Sequence, residues 1–284
     1  MREDLEKAYM EIIPVPGIEE RLESLQKNSH VAVTCSPTRG VDETIELSEK
    51  LIKQGFQVIP HIAAKCVSGK KHLETIVKRL DTLNIKSIFV PGGDLPQPTG
   101  EFNNAYDLLK ALHKCGHNIE NIGIAAHPEG HPDVSEETLM EALHMKKELA
   151  DYIVTQMCFD ADILGDWLVR INQEGIRLPV WVGLPGAIER GRLLKTSLRI
   201  GVGDSMRFLR KKSQVAAELM RSSIYNPDKL VKNTVNAPQL SVLDATKSTE
   251  GVGCSVTVCV IVSLSLIHIS EPTRPRLISY AVFW

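Results

Sequence analysis

The 284-residue chain has no surplus of either charge, since 33 Lys and Arg residues stand against 35 Asp and Glu residues. This balance argues against nucleic acid or an anionic membrane surface as a partner. The six cysteines form no CxxC pair and are expected to be reduced thiols, and the charged start MREDLEKAYMEII has no signal-peptide core. The GxGxxG fingerprint of dinucleotide-binding folds is also absent. We therefore expect a cytoplasmic protein.

Short apolar runs recur along the chain, and most are continuous, as in strands that are covered on both faces. They occupy residues 9–15, 30–35, 56–62, 86–92, 121–127, 151–157 and 179–184. Helical patterns lie between them at 41–55, 68–84, 135–150, which has Ser135 as a candidate N-cap, and 160–175. Repeated strand–helix units indicate an α/β fold with parallel strands. Seven strands, with room for an eighth, favour a (β/α)8 TIM barrel over a doubly wound sheet.

The character of the sequence changes towards the C-terminus. Residues 251–270 are apolar and β-branched, but Ser, Thr and His interrupt them, so they do not resemble a membrane-spanning helix. The segment SLSLIHISEPTRP resembles a translated sequencing adapter. We interpret 1–240 as a single barrel domain and 241–284 as an aberrant tail, non-native from about 255. The eighth strand is then missing or replaced by SVTVCVIV, unless the tail is genuine and supplies it.

Barrel enzymes carry their chemistry at the C-terminal ends of the strands, which selects polar residues at or just past the predicted strands. These candidates are Glu11, Thr34, His61, Asp94, His127, Gln156 and the turn at 183–186. We expect most of them to line one cavity. Burial of Glu11 inside the barrel would favour its protonated form and make it a general acid, although a solvated strand-edge glutamate is the alternative. Asp94 follows two glycines that allow a close approach to a ligand, or it is a turn aspartate that caps the next segment.

The loop HPEGH at 127–131 has three open interpretations: a metal site, a cofactor loop or an ordinary polar loop. His127 and His131, completed by His61 or Asp94, could bind zinc in a barrel hydrolase, but no HxH or HExxH spacing occurs. Two prolines stiffen the loop. We favour a loop that donates imidazole and backbone hydrogen bonds to an organic cofactor, with no metal.

Seven segments within residues 8–230 carry a resemblance to a known family. In order they are MEIIPVP, VAVTCSPTRG, VIPHIAAK, GGDLPQPTGEF, IGIAAHPEGHPD, ADYIVTQMCFD and VWVGLPGAI. They resemble the strand motifs of the methylenetetrahydrofolate reductase family. The resemblance implies a flavoenzyme of one-carbon metabolism and methionine biosynthesis, in which NAD(P)H reduces FAD and the reduced flavin converts 5,10-methylenetetrahydrofolate into 5-methyltetrahydrofolate. A homo-oligomer is compatible with it.

The resemblance also implies residue roles. Glu11 matches the general acid that helps to open the five-membered ring of the folate, and Asp94 matches the aspartate that faces the pterin and tunes the flavin. Gln156 matches a substrate-contacting glutamine. The implied cofactor-binding positions are Thr34, His61, Asp94, Ala125, His127 and His131. His127 stands where many members of the family carry tyrosine, which changes that contact.

Some positions depart from the family pattern. Gly92 stands where many flavin-binding members carry a basic residue, so the flavin site is expected to be weaker, differently arranged or lost. The helix that usually adds polar and basic contacts to the cofactor carries Thr138, Glu141, His144 and Met145, with Lys146 and Lys147 next. The basic segment 188–212 could bind nicotinamide phosphates or the glutamate tail of folate, or be a solvated helix face. A folate-binding barrel with another one-carbon role is the second hypothesis.

Overall fold

The computed structural model describes residues 9–22, 25, 27–184, 188–189, 224–225, 233 and 256–257. The basic segment 188–212, apart from its first two residues, lies outside the described residues. The same holds for the predicted tail from 241 onward, apart from residues 256–257. The proposed boundary between native and non-native sequence therefore stays a prediction.

All seven predicted strands are present, and each is shorter than its apolar run. They are β1 (Tyr9–Ile12), β2 (His30–Val33), β3 (Gln57–Pro60), β4 (Ser87–Val90), β5 (Asn121–Ala126), β6 (Tyr152–Thr155) and β7 (Val180–Trp181). Two-residue strands β8 (Ile188–Glu189) and β9 (Ile224–Tyr225) pair antiparallel. A last strand, β10 (Val256–Thr257), pairs in parallel with β7. Part of SVTVCVIV thus lies beside the seventh strand, where a barrel has its eighth.

The four predicted helices are present, together with two that the sequence patterns did not predict. The helices are α1 (Ile18–Leu22), α2 (Gly40–Lys53), α3 (Lys70–Thr82), α4 (Ala105–Leu112), α5 (Glu136–Lys146) and α6 (Ala161–Gln173). Short 3₁₀ turns occupy Ala64–Cys66 and Lys147–Leu149. Ser135 accepts a hydrogen bond from the Thr138 backbone N–H, as an N-cap does. None of the described helices has the length and apolar character needed to cross a membrane.

The described residues divide into two compact units. The first, here called the N-terminal unit, comprises Glu11–Ala126 and Met140–Val154. The second, the C-terminal unit, comprises residues 9–10, His127–Leu139 and the described residues from Thr155 onward. Each unit is described separately below.

Strands of the N-terminal unit follow one another in space as they do in sequence. One sheet has the order β1-β2-β3, and β4, β5 and β6 are neighbours in another. A parallel bridge between His61 and Phe89 joins the end of β3 to β4. Sequential parallel order is that of a TIM barrel, whereas a doubly wound sheet reverses its order part-way. Within the part of the chain that the structure describes, no strand pairing closes a complete barrel.

Apolar side chains on both sides of the strands form the core of the N-terminal unit. In β2 the three consecutive residues Val31, Ala32 and Val33 are all buried, so this strand is covered on both faces. Helix α3 buries Leu73, Ile76, Val77 and Leu80, which have the i, i+3, i+4, i+7 spacing of one helical face. Burial on both faces explains why the apolar runs are continuous.

Gly123 in β5 packs directly against an aromatic ring. A Cβ atom at this position would lie 2.4 Å from two ring atoms of Tyr152. The Tyr152 hydroxyl donates a hydrogen bond of 2.9 Å to the carbonyl oxygen of Ile88, so the ring is held in place. Only glycine leaves the space that this ring fills.

We predict that Gly123→Ala displaces the Tyr152 ring and breaks its hydrogen bond, because overpacked cores relax only at a cost. The free energy of unfolding should fall by about 1–3 kcal/mol in urea denaturation. The control is Gly116→Ala, where a Cβ would meet no heavy atom within 4 Å. Its effect should stay within about 0.5 kcal/mol. Equal stabilities of the two variants would contradict the packing assigned to Gly123.

Candidate functional site

Thr34 and His61 lie side by side in the N-terminal unit, at the C-terminal ends of β2 and β3. The last paired residues of these strands are Val33 and Pro60, and Thr34 and His61 follow them directly. Register partners in a sheet point to the same face, so the two side chains share one face. His61 also forms a parallel bridge with Phe89 of β4, so Phe89 points to the same face. The ring centroids of His61 and Phe89 are 4.7 Å apart.

Ala125 belongs to the same sheet face. Phe89 is the register partner of Gly123 in β5. Ala125 follows two residues later in that strand, and residues at i and i+2 point to the same side. Three of the expected cofactor-lining positions, at the ends of β2, β3 and β5, are therefore brought onto one face.

Glu11 also lies on this face and is completely buried, with 0% of its surface exposed. The Thr34 N–H donates a hydrogen bond of 2.9 Å to the carbonyl oxygen of Ile12, which sets Ile12 beside Val33. Glu11 precedes Ile12 by one residue and so points to the face of Thr34. The alternative of a solvated strand-edge glutamate is therefore wrong.

The polar groups on this face are buried at an energetic cost. The Thr34 hydroxyl is buried and has no hydrogen-bond partner among the described residues. Burial lowers the pKa of His61 to about 3, so its imidazole is neutral at physiological pH. A neutral imidazole has one donor and one acceptor nitrogen, which suits a polar organic ligand better than a simple anion.

Asp94 lies on the exposed loop that follows β4, as predicted for a residue at a strand end. It does not cap the next helix, because the Asn104 side chain accepts the Asp107 N–H at the start of α4. Gly93 has a φ of +91°, a conformation that favours glycine. A Cβ at Gly92 would meet no heavy atom within 4 Å. The backbone beside Asp94 is therefore open to a close approach.

Two cysteines form a hydrogen-bonded thiol pair next to this loop. The hydrogen bond with Cys66, followed by burial, raises the pKa of Cys35 well above its ordinary value. The bond from Cys35 lowers the pKa of Cys66, while burial and the charge of Asp94 oppose that change. In the sequence both residues are ordinary scattered thiols, because their contact exists only in the fold.

Lys146, at the end of α5, places an ammonium group at β5. Its Nζ donates a hydrogen bond of 3.3 Å to the carbonyl oxygen of Ala125. Burial lowers the pKa of Lys146 from its ordinary 10.5 to about 8. In the sequence Lys146 is only a neighbour of the expected cofactor contacts. Its hydrogen bond to Ala125, an expected cofactor-lining position, is visible only in the structure.

In the C-terminal unit, the loop HPEGH brings its two histidines together. The rings of His127 and His131 are nearly perpendicular, with centroids 5.3 Å apart. Gly130 has a φ of +85°, and its N–H donates to the carbonyl oxygen of His127 in a tight turn. The His131 Nδ1 atom accepts the Asp133 N–H at 3.2 Å.

Glu129 of the same loop has a structural role. Its Oε1 atom accepts the N–H groups of Phe159 at 2.6 Å and Asp160 at 2.8 Å. Asp160 in turn accepts the N–H groups of Asp162 and Ile163 as the N-cap of α6. Among the described residues there is no group of three or more His, Cys, Asp or Glu side chains that could hold a metal ion.

Gln156 follows the last residue of β6, as predicted, and is partly buried. Its side-chain oxygen accepts the Met157 N–H at 2.8 Å. Nearby, the Thr155 hydroxyl accepts the Gly183 N–H, and the Cys158 N–H donates to the Gly183 carbonyl, both at 2.9 Å. These bonds hold the segment that carries Gln156 against the turn after β7. Residues 185–186 of the predicted 183–186 turn lie outside the described residues.

Comparison with protein families agrees with these strand-end motifs. A family model described as methylenetetrahydrofolate reductase matches residues 16–188, more than half of the chain. The chain belongs to the methylenetetrahydrofolate reductase family. The match includes Thr34, His61, Asp94, Ala125, His127, His131 and Gln156. Glu11 precedes it, so the assignment of Glu11 rests on the MEIIPVP motif and on its buried position.

Curated relatives that carry the family name include one from fission yeast and one from a plant. Methylenetetrahydrofolate reductase 1 of Schizosaccharomyces pombe is 29% identical over 143 residues, 47% of this chain and 24% of the relative. Methylenetetrahydrofolate reductase (NADH) 1 of Arabidopsis thaliana is 28% identical over 198 residues, 59% of this chain and 32% of the relative. The chain thus spans a third or less of the length of these relatives.

A solved structure supports the fold. An uncharacterised protein from Clostridium thermocellum, which binds two copies of 5-methyl-5,6,7,8-tetrahydrofolic acid, superimposes with a TM-score of 0.51. The alignment covers 91% of each chain at 12% sequence identity. At this identity the likeness concerns the fold alone, and it agrees with the TIM barrel of the methylenetetrahydrofolate reductase family.

We predict that Lys146→Met changes how stability depends on pH. In the wild type the folded state binds fewer protons than the unfolded state between pH 8 and 10.5, so its stability should rise with pH across that window. Below pH 8 the buried charge costs up to about 3 kcal/mol, which Lys146→Met removes. Urea denaturation from pH 7 to 10.5 measures the difference. Parallel pH profiles for the two proteins would contradict the desolvation of Lys146.

Proposed function

We propose that the protein reduces 5,10-methylenetetrahydrofolate to 5-methyltetrahydrofolate, with NAD(P)H as the hydride source and FAD as the cofactor. The observation that carries this proposal is the family match over residues 16–188, together with the shared sheet face of Thr34, His61 and Ala125. The identity of the nicotinamide, the oligomeric state and the cytoplasmic location stay predictions.

The residues of the N-terminal unit fit a flavin. FAD is a polar organic cofactor that, when bound, accepts and passes on a hydride. The buried Thr34 hydroxyl, which lacks a partner among the described residues, supplies a hydrogen-bonding group, and His61 supplies a neutral imidazole. Lys146, bonded to the Ala125 carbonyl oxygen, supplies a cation suited to a phosphate. In the C-terminal unit, His127 and His131 are the candidates for cofactor contacts.

Glu11 is the proposed general acid. A carboxyl with no exposed surface is shielded from water, and its protonated form can donate to a substrate nitrogen. In the folate, that proton would go to the nitrogen that leaves when the five-membered ring opens. The methylene carbon then becomes an iminium carbon, which is the group that accepts hydride.

Asp94 and Gln156 are the proposed substrate contacts. The exposed Asp94 carboxylate can accept hydrogen bonds from pterin N–H groups and stabilise the positive charge that develops on ring opening. The Gln156 amide has both donors and an acceptor for a folate. Hydride transfer depends on a fixed geometry, so the principal task of these residues is positioning.

A folate-binding barrel with another one-carbon role is the second candidate. The observation that favours it is Gly92, an uncharged residue where many flavin-binding members of the family carry a basic one. Such a protein would bind folate without flavin-dependent reduction. The redox behaviour of the purified protein therefore distinguishes this candidate from the reductase.

We predict that the purified protein has the absorbance spectrum of bound flavin. Anaerobic NADH or NADPH should bleach this spectrum, and 5,10-methylenetetrahydrofolate should restore it. Stopped-flow absorbance measures both half-reactions. Folate binding without flavin absorbance would favour the second candidate. Stoichiometric zinc without flavin would favour the barrel hydrolase.

We predict that Glu11→Gln slows flavin reoxidation by methylenetetrahydrofolate by about 100-fold or more, the usual contribution of a general acid. Flavin reduction by NAD(P)H should change little, because that half-reaction needs no proton at the folate. The matched control is Glu49→Gln, an exposed helix glutamate paired with Lys53. Equal losses in both half-reactions would show that Glu11 is not the proton donor.

A further inference from the structure

We propose that Lys65 is the positioning residue for Asp94: it fixes the loop 92–99 on which Asp94 is carried. Nothing in the family comparison assigns a role to Lys65. The catalytic part of this inference rests on the proposed function, since it takes Asp94 as a substrate contact. The structural part, the fixing of the loop, stands independently and is testable independently.

Lys65 makes four hydrogen bonds to this one loop. Its Nζ donates to the carbonyl oxygen of Leu95 at 2.9 Å, and its backbone N–H donates to the carbonyl oxygen of Gly92 at 3.0 Å. Its own carbonyl accepts the N–H and the hydroxyl of Thr99, each at 2.9 Å. Asp94 lies between Gly92 and Leu95, so Lys65 bonds the backbone on both sides of Asp94.

Close packing adds to these bonds. A Cβ at Gly93 would lie 3.2 Å from the Cβ of Ala63 and 3.6 Å from the Cβ of Lys65. The residue just before Asp94 therefore rests directly on the segment 63–65. The Ala64 N–H also donates to the carbonyl oxygen of Pro91 at 3.0 Å, so the β3–β4 pairing continues up to the loop.

The side chain of Asp94 depends on this support. Among the described residues no hydrogen bond to the Asp94 carboxylate is found, and the residue is exposed. Its position is therefore set by the backbone of the loop. Main-chain pairing holds the beginning of the loop at Gly92, whereas at Leu95 the bond found among the described residues comes from the Lys65 side chain.

The Lys65 ammonium is used differently from those of surface lysines in the same unit. Lys50, Lys53 and Lys70 form ion pairs with exposed glutamates. Within the described residues Lys65 forms no ion pair, and its partly buried Nζ bonds a main-chain carbonyl 30 residues away. A charged donor makes such a bond stronger than a neutral one. Removing it frees the loop end next to Asp94.

Hydrogen exchange of the full-length protein tests the fixing of the loop. Lys65→Met keeps the side-chain length and removes the ammonium. The amides of Lys65 and Thr99, which bond across the contact, should then exchange about tenfold faster, equivalent to ~1.4 kcal/mol of lost local stability. The Leu73 amide in α3 should be unchanged. Lys65→Arg, which can still reach the Leu95 carbonyl, should exchange as the wild type does.

A double-mutant cycle tests the positioning of Asp94. Lys65→Met should lower the turnover of folate reduction about tenfold, with little change in flavin reduction, and Lys65→Arg should restore most of it. In an Asp94→Asn background, Lys65→Met should cause no further loss, because there is no carboxylate left to position. Lys53→Met, at an exposed ion pair, should have no effect in either background.

The outcomes separate the two proposals. Unchanged exchange at Lys65 and Thr99 in Lys65→Met, or additive losses in the double mutant, would overturn the role of Lys65. Faster exchange in a protein whose wild type does not reduce methylenetetrahydrofolate would overturn the proposed function and leave the structural role of Lys65 intact. If Lys65→Met fails to fold, Lys65→Leu, an apolar side chain that also lacks a donor, replaces it in both measurements with the same expected results.

Discussion

Register between neighbouring parallel strands is the constraint on which the candidate site depends. Thr34 and His61 follow the pair Val33–Pro60, and His61 bridges Phe89, which pairs with Gly123. Thr34, His61 and Ala125, two residues after Gly123, therefore point to one face. A slip of one residue between β2 and β3 would place Thr34 and His61 on opposite faces. The register of the strands therefore decides which side chains form the site, and their chemistry acts only once they lie on the same face.

Burial of polar groups on this face opposes stability. Glu11 has no exposed surface, and Thr34 and His61 are 3% and 2% exposed. Each loses its contact with water, and for His61 the cost appears as a pKa of about 3. The continuous apolar burial of the neighbouring strands offsets this cost. Polar residues are unfavourable in an apolar core. They are expected at such positions where the function of the protein requires them.

Most of the fold could be predicted from the sequence, since apolar runs covered on both faces mark the strands directly. Their ends could not, because each apolar run continues past the last residue of the strand that it marks. Helix α4 was missed although it buries Ala105, Leu108, Leu109 and Leu112 at helical spacing.

The strand-end rule found the candidate site residues. The Lys65–Leu95 and Cys35–Cys66 contacts join residues about 30 positions apart, and only the register brings them together.

The HPEGH loop shows why residue types alone do not identify a metal site. One Glu129 carboxylate oxygen already accepts two backbone N–H groups, at Phe159 and Asp160. Such charge-assisted bonds are roughly twice as strong as neutral ones, and a metal-ligand role for that oxygen would break both. Because Asp160 also caps α6, Glu129 ties the loop to the start of that helix. The loop that carries His127 and His131 is thus bonded to the start of α6 through Glu129.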